Sequence, residues 1–461
     1  MNAGCARVSI TPATGLYFGG KTHADPIRIS HICSDIFARA VVFQAAKIKL
    51  ALVNVELCYF HAHWVSKVRA LVAAQTDIPA TNICIAATHN HSGPDTFLYF
   101  DRDYVEGIIP KIAKAVCEAD LGLKPVRLVA GSMPILGPAT NRRIKMKDGS
   151  IRMRAIGFVP PPSEQVAGPG PVDRELRLLR IESSADAKPI AFLCNYACHA
   201  SVALESTCVS GDFPGYAAQF VERETGAYLL FTAGASANIN PVAFCHNRSD
   251  VEARRIGEEF GMGVLALANK LPVASGQSSV DRSSGSDNSM SIISKRIAFP
   301  IRKEFFGSRR HDADGRPQPP SKGITPPAQP MELPDGSEAR FYPSSIEVEV
   351  EKIRRMEQAS ILPPVLATGR ISSEISRITL GNLTLLTLPG ELFVEIGLAI
   401  LAPTPSPCWI MSHANDAIGY IPTAEAFAEG GYESAPFALS LLTPEAESIV
   451  RNAALELLSR K

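Results

Sequence analysis

Two histidines one residue apart, in the block Thr88-His89-Asn90-His91-Ser92-Gly93-Pro94-Asp95, are the first residues whose types and spacing suit chemistry. Side chains at i and i+2 of an extended chain point the same way. One imidazole then suits a metal while its neighbour orients substrate or moves a proton. Gly93-Pro94 turns the chain away and leaves both rings at the end of the preceding apolar run. His199 closes the block Asn195-Tyr196-Ala197-Cys198-His199, again just past an apolar run. Alone, it reads as readily as a hydrogen-bonded structural histidine. Glu391 sits in Leu388-Pro389-Gly390-Glu391-Leu392-Phe393. A carboxylate among apolar neighbours needs a partner, and either a cation or the N-terminus of a following helix would serve. Further on, Gly419-Tyr420 and Gly430-Gly431-Tyr432-Glu433-Ser434 bring two tyrosines whose types alone do not separate ligand from core aromatic. His61 and His63 repeat the i, i+2 spacing but open a helix, and Asp212 reads as a helix N-cap.

Each of these residues needs an element to hold it. Residues 49–56 (KLALVNVE) and 82–88 (NICIAAT) read as buried strands, with Trp64, Val65, Val68, Leu71 and Val72 at helical spacing between them. A right-handed crossover sets such strands parallel, with His89 at the carboxyl edge where α/β proteins build their sites. The pattern returns at 189–196 (PIAFLCNY), a helix over 213–225 and a strand at 227–232. Ser249 and Glu252 form a capping box ahead of a helix carrying Ile256, Phe260, Val264 and Leu267. Residues 383–388 and 408–412 are further buried strands, and Thr443-Pro444 opens a last helix with Ile449, Val450, Ala453 and Leu457 on one face. The alternation predicts an α/β fold of mixed, largely parallel sheets flanked by helices, as one catalytic domain over residues 1–461. A Ser/Gly/Pro-rich stretch within 274–345, interrupted by one strand near 292–301, reads as a surface excursion.

Composition narrows the class. Of 461 residues 46% are hydrophobic, enough for a large core, and Lys+Arg and Asp+Glu each number 46. With no basic stripe, nucleic acid is not expected as a partner. No apolar run is long enough for a transmembrane segment, and the stretch from Met1 to Pro12 lacks the apolar centre of a signal peptide, so a cytoplasmic location is expected. Ten cysteines occur without a Cys-x-x-Cys, and Cys58, Cys84 and Cys194 fall inside apolar runs. Reduced thiols are therefore expected, rather than disulfides or a cysteine zinc site.

Taken in order, these blocks resemble the catalytic domain of neutral/alkaline, non-lysosomal ceramidases. The resemblance rests on Val8-Ser9-Ile10-Thr11-Pro12, Ala38-Arg39-Ala40, the Thr88–Pro94 block, Asn141-Arg142-Arg143, the Asn195–His199 block, Pro389-Gly390-Glu391, Gly419-Tyr420 and Tyr432-Glu433. It implies a Zn2+ site formed by His89, His199, Glu391 and Tyr420, with His91, Arg142 and Tyr432 around the scissile bond. It also implies hydrolysis of the amide of N-acylsphingosine, a step in sphingolipid metabolism, so the expected partner is a lipid or other small amide. Nitrogen and oxygen donors of these kinds suit zinc, which activates water and polarises a carbonyl.

The chain departs from the family at two points. Where ceramidases carry Gly-Asp-Val-Ser-Pro, this sequence reads Ala237-Asn238-Ile239-Asn240-Pro241, so Asn240 takes the place of the serine implicated in catalysis. Asn240 is thus a candidate catalytic residue as an oxyanion donor, and attack by a metal-activated water is favoured over an acyl-enzyme. With the sequence ending at Lys461, about where the catalytic domain of the ceramidases should stop, their immunoglobulin-like domain is not expected here. Two alternatives stand beside a ceramidase: a cytoplasmic relative acting on another amide, ester or sugar-derived substrate, and an inactive binding protein that keeps the fold.

Overall fold

The structure, a computed structural model, describes the chain apart from residues 22–26, 98–100, 155–159, 273–288, 303–328, 333–337, 342–367, 405–406, 435–439 and 461. Eight strands form the main sheet: β1 (Asn2–Ser9), β2 (Phe37–Ala45), β3 (Ile48–Val55), β4 (Ile83–Ala87), β5 (Lys124–Pro134), β6 (Glu175–Ser183), β7 (Pro189–Tyr196) and β8 (Tyr228–Ala233). Their order is β8-β7-β6-β5-β1-β2-β3-β4. A second sheet runs β9 (Met290–Pro300), β10 (Arg370–Leu380), β11 (Leu383–Thr387) and β12 (Cys408–Met411), in that order. The described helices are α1 (Ala62–Gln75), α2 (Arg102–Leu121), α3 (Asp212–Thr225), α4 (Asp250–Lys270), α5 (Val394–Leu401), α6 (Ala424–Glu429) and α7 (Ala446–Ser459).

Strand alternation explains the layering. In β2 and β3 the residues Val42, Ala51 and Val53 join a core with Val68 of α1 and Ile112 of α2. Their neighbours Val41, Phe43 and Leu52 point the other way, into a core with Leu385 and Trp409 of the second sheet. Further along the main sheet, Phe192 and Phe231 pack on Phe213 of α3 and Phe260 of α4. The second sheet turns Phe299 and Leu386 toward Ile396 of α5 and Val450 and Leu457 of α7. Helices thus cover the outer faces of two sheets packed face to face.

The mixed α/β architecture expected from the sequence is present, with more antiparallel pairing than the apolar runs suggested. Parallel ladders occur at β3–β4, β7–β8 and β11–β12, and the other pairs in both sheets are antiparallel. The three parallel pairs are the strand–helix–strand units through α1, α3 and α5, whose continuous apolar runs stand out in sequence. Strands such as β5 are half exposed, and their weaker pattern hides them. Of the capping box expected at Ser249 and Glu252, one half is present: the Ser249 hydroxyl accepts from Glu252 N at 3.3 Å, while Ser249 N donates to Asn247 Oδ1 at 3.0 Å and the Glu252 carboxylate accepts from His246 N at 2.9 Å. Of the excursion expected within 274–345, residues 274–288, 303–328, 333–337 and 342–345 lie outside the described residues, while β9 holds the strand expected near 292–301.

The expectation of uniformly reduced thiols is corrected at one place. Cys33 and Cys208 form a disulfide beside a short parallel pair that sets His31 against Cys208. Spacing cannot reveal a bridge between cysteines 175 positions apart. Cys58, Cys84 and Cys194 are free and buried, as expected. No described helix is long and apolar enough to cross a membrane.

Candidate metal centre

The three parallel units end close together. His89 lies just beyond β4 and His199 just beyond β7, while Glu391 follows the Pro-Gly turn after β11. Gly390 adopts φ +73° in that turn, and a Cβ there would meet Gly419 O at 2.5 Å, so the tight turn that delivers Glu391 requires glycine. Glu391 and Leu392 then pair in parallel with Tyr420 and Ile421. Backbone bonds tie the strand ends to each other: Ala87 N donates to His413 O at 3.1 Å and Ser412 N to Ala233 O at 2.9 Å.

His89, His199 and Glu391 are buried, and their ligating atoms all lie within 4.8 Å of one another. Glu391 Oε2 is 3.3 Å from His89 Nε2 and 3.5 Å from His199 Nε2. An ion bound tetrahedrally at about 2.0–2.2 Å sets its ligands about 3.3–3.6 Å apart, so the spacing fits zinc. The outward atoms are already engaged. His89 Nδ1 meets Cys58 O at 3.1 Å, and His199 Nδ1 meets Ser236 O at 2.7 Å and Ile239 O at 3.0 Å. A carbonyl only accepts, so each Nδ1 carries the hydrogen and each Nε2 turns a lone pair inward. Among the described residues, neither His199 Nε2 nor Glu391 Oε2 has a hydrogen-bond partner. His91 is held likewise, with Nδ1 2.9 Å from Gly20 O and Nε2 3.2 Å from His89 Nε2. Lone pairs facing one another in a buried site are what a cation would reconcile.

The electrostatics point the same way. Burial, reinforced by His89, lowers His199 to about 4. Burial together with His89 and His199 puts His91 well below the usual histidine range. Burial pushes the Glu391 carboxyl up, but His89 and His199 outweigh it and hold it well below the ordinary carboxylate range. A carboxylate held ionised beside two inward-facing imidazole nitrogens is the donor set a divalent metal takes.

Arg142, Tyr420 and Tyr432 are brought together beside this centre. Arg142 donates to the Tyr420 hydroxyl at 3.3 Å and to Glu433 Oε1 at 2.7 Å. The two tyrosine rings meet edge to face at 5.8 Å, and the guanidinium lies 5.7 Å from one centroid and 5.6 Å from the other. Burial and then Glu391 push the Tyr420 phenol well above its ordinary value. Asn240 lies on a short pair with residues 140–141, two positions before Arg142. Its amide donates to Arg154 O at 3.3 Å and accepts from Val242 N at 3.3 Å, so its polar atoms are spent on backbone.

Sequence reasoning overlooked several neighbours. The Tyr59 hydroxyl donates to Glu391 Oε1 at 3.4 Å. Glu433, fully buried, bridges Arg142 and Arg143, the latter at 2.9 Å. The His413 ring stacks on that of His89 with centroids 4.0 Å apart. Tyr59 continues the apolar run of β3 and looked like core. Glu433 stood inside the Gly430–Ser434 block already singled out, while His413, just past β12, carried no spacing signal of its own.

Residues 30–233 match the profile of the family described as neutral/alkaline non-lysosomal ceramidase, N-terminal. Among solved structures, a ceramidase complexed with C2 aligns with TM-score 0.68 and 19% identity, covering 99% of this chain and 74% of that one. The neutral ceramidase from Pseudomonas aeruginosa aligns with TM-score 0.67 and 19% identity over the same shares. The segment that matches this family holds His89, His91 and His199, and the fold of the two ceramidase structures is shared along 99% of the chain.

Proposed function

We propose that this protein is a zinc-dependent hydrolase, one catalytic unit that cleaves the amide bond of N-acylsphingosine-type lipids with a metal-activated water. The observation that carries the reading is the convergence of His89 Nε2, His199 Nε2 and Glu391 Oε2, at 3.3 and 3.5 Å across the carboxylate. Those three residues and the Tyr420 hydroxyl would hold the ion, which supplies Lewis-acid polarisation of the carbonyl and a more acidic water. His91, whose Nε2 faces the same point, takes a proton from the attacking water and passes it toward the leaving amine. Arg142, fixed by Glu433, sets positive charge where the carbonyl oxygen gains negative charge. Burial of the set keeps bulk water from screening these interactions.

A water nucleophile is favoured over an acyl-enzyme because Asn240 is no nucleophile and the buried Ser236 hydroxyl has no hydrogen-bonded base. The test is zinc analysis of the purified protein, with release of fatty acid and sphingosine from short- and long-chain N-acylsphingosines before and after chelation. Stoichiometric zinc and chelator-sensitive release are expected. Chelator-resistant release, or zinc binding with release only from other amides or esters, would overturn the reading.

A further inference from the structure

His89 and His199 are anchored differently. His199 Nδ1 is held by carbonyls of two residues, Ser236 and Ile239, which fix its ring in position and in plane. His89 Nδ1 has partners from one residue, Cys58 O at 3.1 Å and Cys58 Sγ at 3.7 Å. A ring anchored at one side chain's width can still swing about that axis, and the swing carries Nε2 away from Glu391.

The contacts that could stop the swing differ in kind. His91, His199 and Tyr59 meet the His89 ring edge-on, at interplanar angles of 90°, 80° and 72°. His413 lies flat on it, 14° from parallel, with centroids 4.0 Å apart. His413 is an improbable core filler. It is buried, yet neither ring nitrogen has a hydrogen-bond partner among the described residues. An apolar side chain would avoid that desolvation cost. Its backbone is left-handed at φ +55°, as is that of His89 at φ +60°. Such strain in non-glycine residues collects at functional sites. The Ala87 N to His413 O bond, at 3.1 Å, locks the two chain segments together at this point.

We propose that His413 is a positioning residue: its ring face clamps the plane of the His89 imidazole and so aims Nε2 at the point shared with His199 and Glu391. The inference rests on the metal-centre reading above. A ring drawn positive by a cation on its nitrogen is attracted to the face of a neighbouring π system, so the clamp tightens as the site is loaded.

The experiment titrates Zn2+ into metal-free protein against a competing chelator, and records the visible spectrum of the Co2+ form, for wild type, H413A, H413L and H413F. Removing an orienting partner of a metal-bound histidine typically weakens binding about 10–100-fold, which is expected for H413A and for H413L, which fills volume without a ring. H413F restores the ring face and should bind Zn2+ and show a Co2+ spectrum like wild type. Circular dichroism and melting of the metal-free proteins confirm folding, and H413F and H413L keep the comparison decisive if H413A is unfolded. H413L binding as tightly as wild type would reduce the role to packing and overturn the clamp. H413F binding as weakly as H413L would assign the role to the ring nitrogens and also overturn it. Wild type that binds neither Zn2+ nor Co2+ would remove the metal-centre reading itself.

Discussion

Glu391 and Tyr420 stand side by side in a two-residue parallel pair, with Glu391 N bonded to Gly419 O at 2.9 Å. The Pro-Gly turn after β11 and the loop after β12 therefore deliver carboxylate and phenol to one place as a unit. Tyr420→Phe should leave this backbone pairing intact while removing the hydroxyl that accepts from Arg142. Zinc affinity should fall by about 10–100-fold, the usual loss for a disturbed metal environment, without a lower melting temperature in the metal-free protein. Competition with a chelator measures it, and unchanged affinity would take Tyr420 out of the ligand set.

His199→Ala and Glu391→Ala should lose both zinc and turnover, because each removes a donor that no neighbouring atom replaces. The fold should survive, since the cores belong to strands and helices around the site. His91→Ala separates the roles: its Nδ1 anchors to Gly20 O rather than to another site residue. That variant should retain zinc and lose kcat by about 10²–10⁴, the range for a lost general acid–base group. Loss of zinc from the His91 variant would make His91 a ligand instead.

Acid should act through His199. Burial lowers it to about 4 from the 6.5 of an exposed imidazole. Between those values the unfolded chain binds a proton that the folded chain refuses, so stability of the metal-free protein falls as pH drops from 6.5 toward 4 and this residue adds no further loss below that. The full window amounts to about 3 kcal/mol. His199→Gln removes the group, so its urea midpoint should decline less than wild type across pH 7 to 4. Parallel decline of the two proteins would show that other groups carry the acid sensitivity.

How much of this was readable beforehand follows from how each residue is delivered. His89, His199 and Glu391 each stand a few positions beyond a continuous apolar strand, and such runs are the strongest signal a sequence offers for a buried parallel strand. Local pattern could place them at carboxyl edges but could not say that three edges meet, because that depends on how two sheets pack. Arg142 and Tyr432 were named through resemblance, and only the fold shows that Glu433 ties one to the other's loop. Tyr59 was hidden for an opposite reason, since it lies where a core residue would be unremarked. The Cys33–Cys208 bridge left no local trace at all.

Glu433 offers a stability test distinct from catalysis. Its carboxylate is fully buried between Arg142 and Arg143, at 2.7 and 2.9 Å, and burial's upward push on it is outweighed by those two cations. Breaking such a pair strands buried positive charge and costs about 3–5 kcal/mol. Glu433→Gln should therefore lower the unfolding free energy of the metal-free protein by that amount, read from urea unfolding, and raise KM by freeing Arg142. A variant with wild-type stability would mean that water or another carboxylate compensates the arginines.

The last prediction concerns the nucleophile. By the sequence resemblance Asn240 takes the place of a serine implicated in ceramidase catalysis, and its amide is committed to Arg154 O and Val242 N. The nearby serine is Ser236, whose carbonyl accepts from His199 Nδ1 while its buried hydroxyl has no partner among the described residues. A serine attacks only when a base within hydrogen-bond reach takes its proton, and the Nδ1 of His199 is occupied by carbonyls. Ser236→Ala should therefore keep most of the turnover and form no covalent species. Asn240→Ala should disturb the turn at Val242 and slow turnover by at most about 10²–10³, the loss of one oxyanion donor. Rapid quench followed by peptide mass mapping is the deciding measurement. An acyl group found on Ser236, with Ser236→Ala inactive, would replace the water mechanism by an acyl-enzyme and leave the metal site to polarise the carbonyl alone.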